Sequence, residues 1–434
     1  MSLPHPMAGF SARTFADRRT RILGGLGDGV MVLPAAPVRY RSRDTEYRYR
    51  PDAELFYATG AAEPDTVAVL VGGDEPRFVL FVPARDETVE LWSGPRPDPE
   101  EAAERYAPDQ ALPLEELETR LPGLLASADR IHVRMGADPR VDRLVREALG
   151  RARARGPRTG TGPRGLTDPG EILDDLRLVK DQEELRRIRE AARISMEGHR
   201  AGMAAGRPGA GEWVVEAAVE GAFRTAGAAG AGFGTIVGSG ANACVLHYVA
   251  NADTVEAGSL VLVDAGAEVG LYHGDITRSW PVDGRFTGRQ RAAYEVVETA
   301  RAAGVAAVAP GASVADVHGA AAAVIVEGLV EMGVLEGAVE ELVAEDAHRP
   351  FFPHQTSHWL GLDVHDPGDY ARQGESRRLE PGMVLTVEPG LYFRPGLEDA
   401  GEWTGIGVRV EDDVLVTEDG RENLTADLPT DPDE

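Results

Sequence analysis

A single cysteine, Cys244, stands in 434 residues, so no disulfide can form within the chain. That suits a reducing compartment, and a cytoplasmic location is expected. Positive charge is also in short supply: 45 Lys+Arg face 72 Asp+Glu, a formal net charge of -27. A surface of that sign repels nucleic acid and anionic lipid, so neither is expected as a partner. No long apolar run is present. The Ala/Val-rich stretch around 301–330 is interrupted by Pro310, Asp316 and His318, which excludes a membrane span. The opening Met1-Ser2-Leu3-Pro4-His5-Pro6 lacks the basic run followed by an apolar run of a signal peptide, and none is expected.

What is present is enough apolar material, 43% of residues, for a sizeable interior, in a chain too long for one ordinary core. Two domains are therefore expected. In the first part, Val30–Leu33, Thr66–Leu70, Phe78–Val82 and Ile131–Val133 read as strands. Glu100–Arg105 and the Leu114–Leu121 region read as helices. The mixture predicts an α/β domain over 1–170. Residues 156–170, rich in glycine and proline, read as its closing linker, or else as an exposed loop within a domain. From 171 onward the second domain opens with an amphipathic helix carrying Leu185, Ile188, Ala191, Ala192 and Met196 on one face. Further helices are predicted over about 213–226, 288–309 and 314–332, with Ser313 and Asp316 able to form a capping box.

Glu256 to Gly266 aligns without gaps on Glu380 to Gly390: each copy reads as a turn, an apolar strand, a carboxylate (Asp264, Glu388) and a glycine. This suggests a duplicated half-domain in which each half places one acid. An ionised carboxylate buried without a partner costs several kcal/mol, so something cationic is expected beside both. Asp275 follows Asp264 by eleven residues, a spacing that a hairpin could close. Glu411 shares an alternating run with Arg409, and side chains at i and i+2 share a strand face. Any one of these acids alone would more often be solvated. Three histidines, His354, His358 and His365, then fall within twelve residues, and imidazole is both the commonest metal ligand and a proton carrier near neutral pH. Four carboxylates and an imidazole make a hard, oxygen-rich set suited to a pair of divalent ions, Mn(II) or else Co(II), Fe(II) or Zn(II).

At these residues the sequence resembles the pita-bread metallopeptidases, and within them the Xaa-Pro aminopeptidase (aminopeptidase P) family. The resemblance covers nearly the whole chain, with the block His358-Trp359-Leu360-Gly361-Leu362-Asp363-Val364-His365 intact. It implies an α/β N-terminal creatinase-like domain followed by an α+β pita-bread catalytic domain. It implies release of the first residue from peptides with proline in second position, by attack of a hydroxide bridging two metal ions. Carried over by position, Asp264, Asp275, His358, Glu388 and Glu411 would be the metal ligands, with Asp275 and Glu411 binding both ions. Glu388 would also handle the proton of the attacking water. His247 would steady the substrate or its tetrahedral intermediate, His365 would be its proton-shuttling partner, His354 would line the pocket, and Arg409 would orient the acids on its strand. Glu54 to Gly60 resembles a family segment more loosely, since Leu55 stands where an aromatic is usual. Trp92 resembles a tryptophan that reaches a neighbouring subunit's active site, which implies a homodimer or homotetramer.

Two segments depart from the family pattern: Pro353-His354-Gln355, where many members have His followed by Gly, and the loop 394–404. Both bear on the residue preferred by the enzyme. A prolidase, acting only on Xaa-Pro dipeptides, shares all five ligands and is the first alternative; a tripeptide assayed against a dipeptide separates the two. A non-catalytic pita-bread binding protein is the second, but such proteins lose ligands, and none is lost here. A creatinase-like amidinohydrolase shares the layout without the metal set.

Overall fold

The computed structural model describes Met7 and residues 9–430; the chain start expected to lack a signal peptide lies largely outside them. Contacts divide the chain into two compact units, Pro4–Arg177 and Leu178–Glu434.

The first unit is built on a mixed six-stranded sheet. Its strands run, edge to edge, Gln110–Pro113, Arg77–Val82, Val67–Val71, Val30–Pro34, Arg130–Val133 and Gly165–Thr167. Val30–Pro34 and Val67–Val71 are buried at every position, as central strands of β-branched residues should be. They pair antiparallel from Val30↔Val71 to Pro34↔Val67, while Val30 pairs in parallel with Ile131 on the other side. Leu117, Leu121 and Leu125, one face of helix Leu117–Ala126, join this core with Val141, Leu144 and Val145 of helix Pro139–Thr159. The four predicted strands are present, each within about a residue of its expected bounds. The linker reading of 156–170 is corrected. Helix Pro139–Thr159 occupies its first residues, and Gly165–Thr167 adds the edge strand beside Arg130–Val133. Composition alone could not separate a linker from a helix end followed by a short edge strand.

The second unit is a duplicated structure. Each half holds two packed helices and a three-stranded antiparallel sheet. The first half has helices Gln182–Ala205 and Glu212–Thr225 with strands Ile236–Ser239, Leu260–Ala265 and Ile276–Pro281. The second has helices Gly288–Ala307 and Val314–Glu331 with strands Val384–Val387, Asp412–Thr417 and Gly420–Asn423. The sequence repeat extends to the backbone. The turns before Leu260–Ala265 and Val384–Val387 close through Ser259 N–H to Glu256 O (3.2 Å) and Met383 N–H to Glu380 O (3.1 Å). Gly258 and Gly382 take the left-handed conformation in these turns, at φ 79° and 94°.

Helix Gln182–Ala205 starts at a complete capping box, Asp181 with Glu184, and buries the five expected apolar residues. Ser313 and Asp316 likewise form the predicted box. Helix Gly288–Ala307 stops two residues short of the expected Ala309, because Pro310 biases the backbone before it away from helix. No helix among the described residues is long and apolar enough to cross a membrane.

Candidate active site

Strands Leu260–Ala265 and Ile276–Pro281 pair antiparallel with Asp264 opposite Thr277 and Ala265 opposite Ile276. The hairpin expected from spacing is therefore present, and a short excursion through 267–273 separates its aspartates. In the other half, Glu388 follows strand Val384–Val387 directly. Glu411 lies just past strand Gly407–Arg409 rather than inside it, its N–H bonded to Thr277 O at 3.1 Å. The alternation read around Arg409 and Glu411 gives way to burial at every position over 407–411, and strand Ile276–Pro281 is buried throughout, since both strands are covered on both faces. Their buried polar residues find partners: Thr277 and Arg409 reach the acids of the cavity, while Arg278 bonds Asp412 and Leu428 O.

All nine candidate residues, His247, Asp264, Asp275, His354, His358, His365, Glu388, Arg409 and Glu411, line one cavity of about 440 Å³. One wall is apolar, from Phe233, Ile236, Leu246, Val249 and Val364. Gln355, one of the departures from the family pattern, also faces this cavity, whereas the loop 394–404 does not. Trp92 lies in the other unit, on helix Glu87–Ser93, and is 86% exposed.

The acids are held by short local bonds. Thr277 Oγ1 donates to Glu411 Oε2 at 2.6 Å, and Arg409 Nε donates to Thr277 Oγ1 at 3.1 Å. The Arg409 guanidinium also reaches Asp264 Oδ2 at 2.5 Å, the cationic partner that Asp264 needs. The N–H of Asp275 donates to the buried Asp413 at 3.1 Å, and the N–H of Glu388 to Thr356 O at 2.8 Å. The segment bearing His247 is pinned at both ends by Glu212, which accepts from Ser239 N (2.8 Å) and Asp253 N (2.9 Å).

The donor set fits a cation. His358 Nδ1–H donates to Trp359 O at 3.0 Å, which orients the ring and turns Nε2 toward the acids. Nε2 lies 3.4 Å from Asp275 Oδ2 and 3.7 Å from Glu388 Oε1, placed to join both carboxylates on one cation. Ligand atoms of Asp275, His358 and Glu411 lie within 4.8 Å of one another. Asp264 Oδ1 is buried with no hydrogen-bond partner. Burial, then the charges of Asp264, Asp413 and Glu388, lift Asp275 well above the usual carboxylate range; burial, then Asp275, Glu388 and Asp264, do the same to Glu411. Burial pushes Glu388 up to about 7 against the opposing pull of His358 and Arg409. Protein cations alone do not neutralise these acids, and divalent metal would.

Sequence reasoning missed Tyr392. Arg409 donates to its hydroxyl at 3.1 Å, and that hydroxyl bonds His354 Nε2 at 2.8 Å. His354 Nδ1 bonds Gln355 O at 2.9 Å, so both ring nitrogens are engaged and the imidazole borders the cavity with its ring. Burial and the Arg409 charge lower its pKa to about 3, which keeps it neutral. Asp413 and Thr277 were missed too. Each stands two residues after a candidate ligand, an i+2 signal that could have found them. Nothing in the sequence singles out Tyr392.

Beneath the hairpin, the fully buried His199 bonds Ala265 O through Nε2 at 3.1 Å, and burial followed by the Arg278 charge lowers its pKa to about 3. The unfolded imidazole takes its proton near pH 6.5, so the stabilisation is whole above that value and drains away as the pH falls toward 3. Urea melts at pH 7 and pH 5 should show the parent chain losing about 2 kcal/mol more than His199→Gln. Equal losses would remove His199 as the cause.

Residues 186–418 match metallopeptidase family M24, and residues 15–133 match the aminopeptidase P N-terminal domain. The chain is 42% identical to an Xaa-Pro aminopeptidase of Escherichia coli (strain K12) over 431 residues, covering 99% of this chain and 98% of the relative. It is 32% identical to Xaa-Pro aminopeptidase 3 of Homo sapiens, covering 93% and 79%. Among solved structures it is similar to proline aminopeptidase P II from Yersinia pestis, with TM-score 0.93, 42% identity, and 98% of each chain covered. It is also similar to a Zn-substituted E. coli aminopeptidase P in complex with product, with TM-score 0.92, 41% identity, and 98% and 97% covered.

Proposed function

We infer that this chain, which belongs to metallopeptidase family M24 and within it to the Xaa-Pro aminopeptidases, releases the N-terminal residue from peptides whose second residue is proline. Its two domains are an α/β aminopeptidase P N-terminal domain and a pita-bread catalytic domain. The observation that carries the activity is the convergence of four carboxylates and one imidazole nitrogen, His358 Nε2, on a single cavity.

Asp264, Asp275, His358, Glu388 and Glu411 would hold two divalent ions, and Mn(II) is our first choice for so oxygen-rich a set. Bound there, the ions supply Lewis acidity and make water a nucleophile near neutral pH. The protein does the rest. Glu388, whose proton affinity burial has raised, accepts the proton released as water attacks the carbonyl before proline. Arg409 stays charged despite burial because Tyr392, Asp264, Glu411 and Glu388 surround it, and it holds Asp264 in place. His247 steadies the substrate. His365 packs edge-on against His358 with ring centroids 4.5 Å apart; burial, then the neighbouring His358 and His247, lower its pKa, and it relays a proton toward the departing proline nitrogen. That nitrogen carries no hydrogen in the peptide and must gain one to leave. His354, with both nitrogens engaged, shapes the pocket rather than carrying protons.

Trp92 and Leu91, exposed at 86% and 81% on one short helix, support a homo-oligomer that covers them. The lone cysteine supports a cytoplasmic location. The test is to strip the metal, resupply Mn(II), and follow products from Xaa-Pro-Yaa, Xaa-Ala-Yaa and Xaa-Pro by mass spectrometry. Release of Xaa best from Xaa-Pro-Yaa is expected. Cleavage of the dipeptide alone would make the chain a prolidase, and no cleavage with metal bound would overturn the peptidase reading.

A further inference from the structure

Lys180 is the only lysine in the sequence; every other basic side chain apart from histidine is arginine. It stands just before the helix Gln182–Ala205, far along the chain from every candidate ligand, yet it is tied at two points to the half that carries His358 and Glu388. Its N–H donates to Gly382 O at 2.9 Å, in the turn that launches the strand ending at Glu388. Its Nζ meets Asp366 Oδ2 at 2.9 Å, with both side chains only 1% exposed.

Asp366 follows His365 directly and organises the loop that carries it. Its Oδ1 accepts from Asp363 N at 3.1 Å, its own N–H donates to Trp359 O at 2.9 Å, and Gly361 N–H donates to Asp363 O at 3.1 Å. The loop has no slack around this pair: a Cβ on Gly361 would sit 2.5 Å from Asp366 Oδ2 and 3.0 Å from Lys180 Cε. In a chain that otherwise uses arginine throughout, a compact ammonium here is specific. The planar guanidinium fork needs room that this space lacks. A buried ion pair is poor evidence of stability, because apolar side chains of similar volume often serve the fold as well. Its value here must be geometric.

We propose that Lys180, through Asp366, is a positioning residue for His365, setting the imidazole against His358 in the orientation that proton relay requires. The proposal rests on the peptidase reading and on His365 as its proton carrier. Loss of such support misplaces a reacting group by a fraction of an ångström to about one ångström, worth about 10–100-fold in rate.

The experiment compares Lys180→Met in the parent chain and in a His365→Ala background, as Mn(II)-loaded full-length protein acting on Xaa-Pro-Yaa. In the parent background kcat should fall about 10–100-fold, with KM within a few-fold and metal content unchanged. In the His365→Ala background the same substitution should cost nothing further, because its effect passes through His365. Lys180→Arg should not restore kcat. If Lys180→Met does not fold, Lys180→Met with Asp366→Asn removes both charges while keeping an oxygen for Asp363 N–H, and carries the same comparison. Full kcat in a folded variant, or an equal loss with and without His365, would overturn the proposal. A parent chain that cleaves no peptide would instead overturn the peptidase reading.

Discussion

Glu411→Gln is expected to raise the melting temperature of the metal-free protein while removing most of the rise that divalent metal gives the parent chain. Without metal, burial sets the Glu411 carboxylate beside Asp275, Glu388 and Asp264, and each charge penalises the others. A neutral amide of the same shape relieves that repulsion, by about 1–3 kcal/mol. The parent chain should recover more than this on adding metal: at a thousand times its Kd an ion contributes about 4 kcal/mol. The variant forgoes most of that and should lose at least about 100-fold in kcat/KM. Thermal melts of both proteins, with chelator and with Mn(II), would show the two lines crossing. Parallel shifts on metal addition would mean that Glu411 is not a ligand.

Glu388→Gln should separate holding metal from moving protons. The amide keeps one oxygen for a cation and can still accept from Thr386 Oγ1, which lies 3.5 Å from Glu388 Oε1. It cannot take up a proton. Metal content should stay near the parent value while kcat falls about 10²–10⁴-fold, the usual loss of a general base, with KM changed by no more than a few-fold. Single-turnover rates beside metal analysis decide it. If kcat falls only in proportion to metal lost, Glu388 is a ligand and nothing more.

The acids were legible in the sequence because each closes or adjoins an apolar run, where burial makes a charge conspicuous. Asp264 and Glu388 were doubly visible through the repeat, which the structure carries down to matched left-handed glycines. The histidine cluster was visible by density. What composition and spacing could not reveal were partners supplied across the fold. Tyr392 becomes meaningful only when Arg409 and His354 flank it, and Lys180 only when a loop some 180 residues later closes on it. Asp413 was hidden differently, as one of several acids in a row, distinguished by a bond to the Asp275 backbone. The misread linker shows the opposite error. Glycine and proline marked a boundary in sequence, but the chain there finishes a helix and adds an edge strand to the first unit.

The two halves of the second unit each have their own helices and sheet, yet neither holds a complete ligand set: Asp264 and Asp275 come from one, His358, Glu388 and Glu411 from the other. Ligand contacts are therefore among the most non-local in the chain, and such contacts close late because loop entropy is spent before they form. The centre should thus be among the last features to assemble during refolding. A chain that refolds without metal should regain its helices and sheets well before it regains activity, and the ion, when it arrives, acts as a crosslink between two halves that have already found each other.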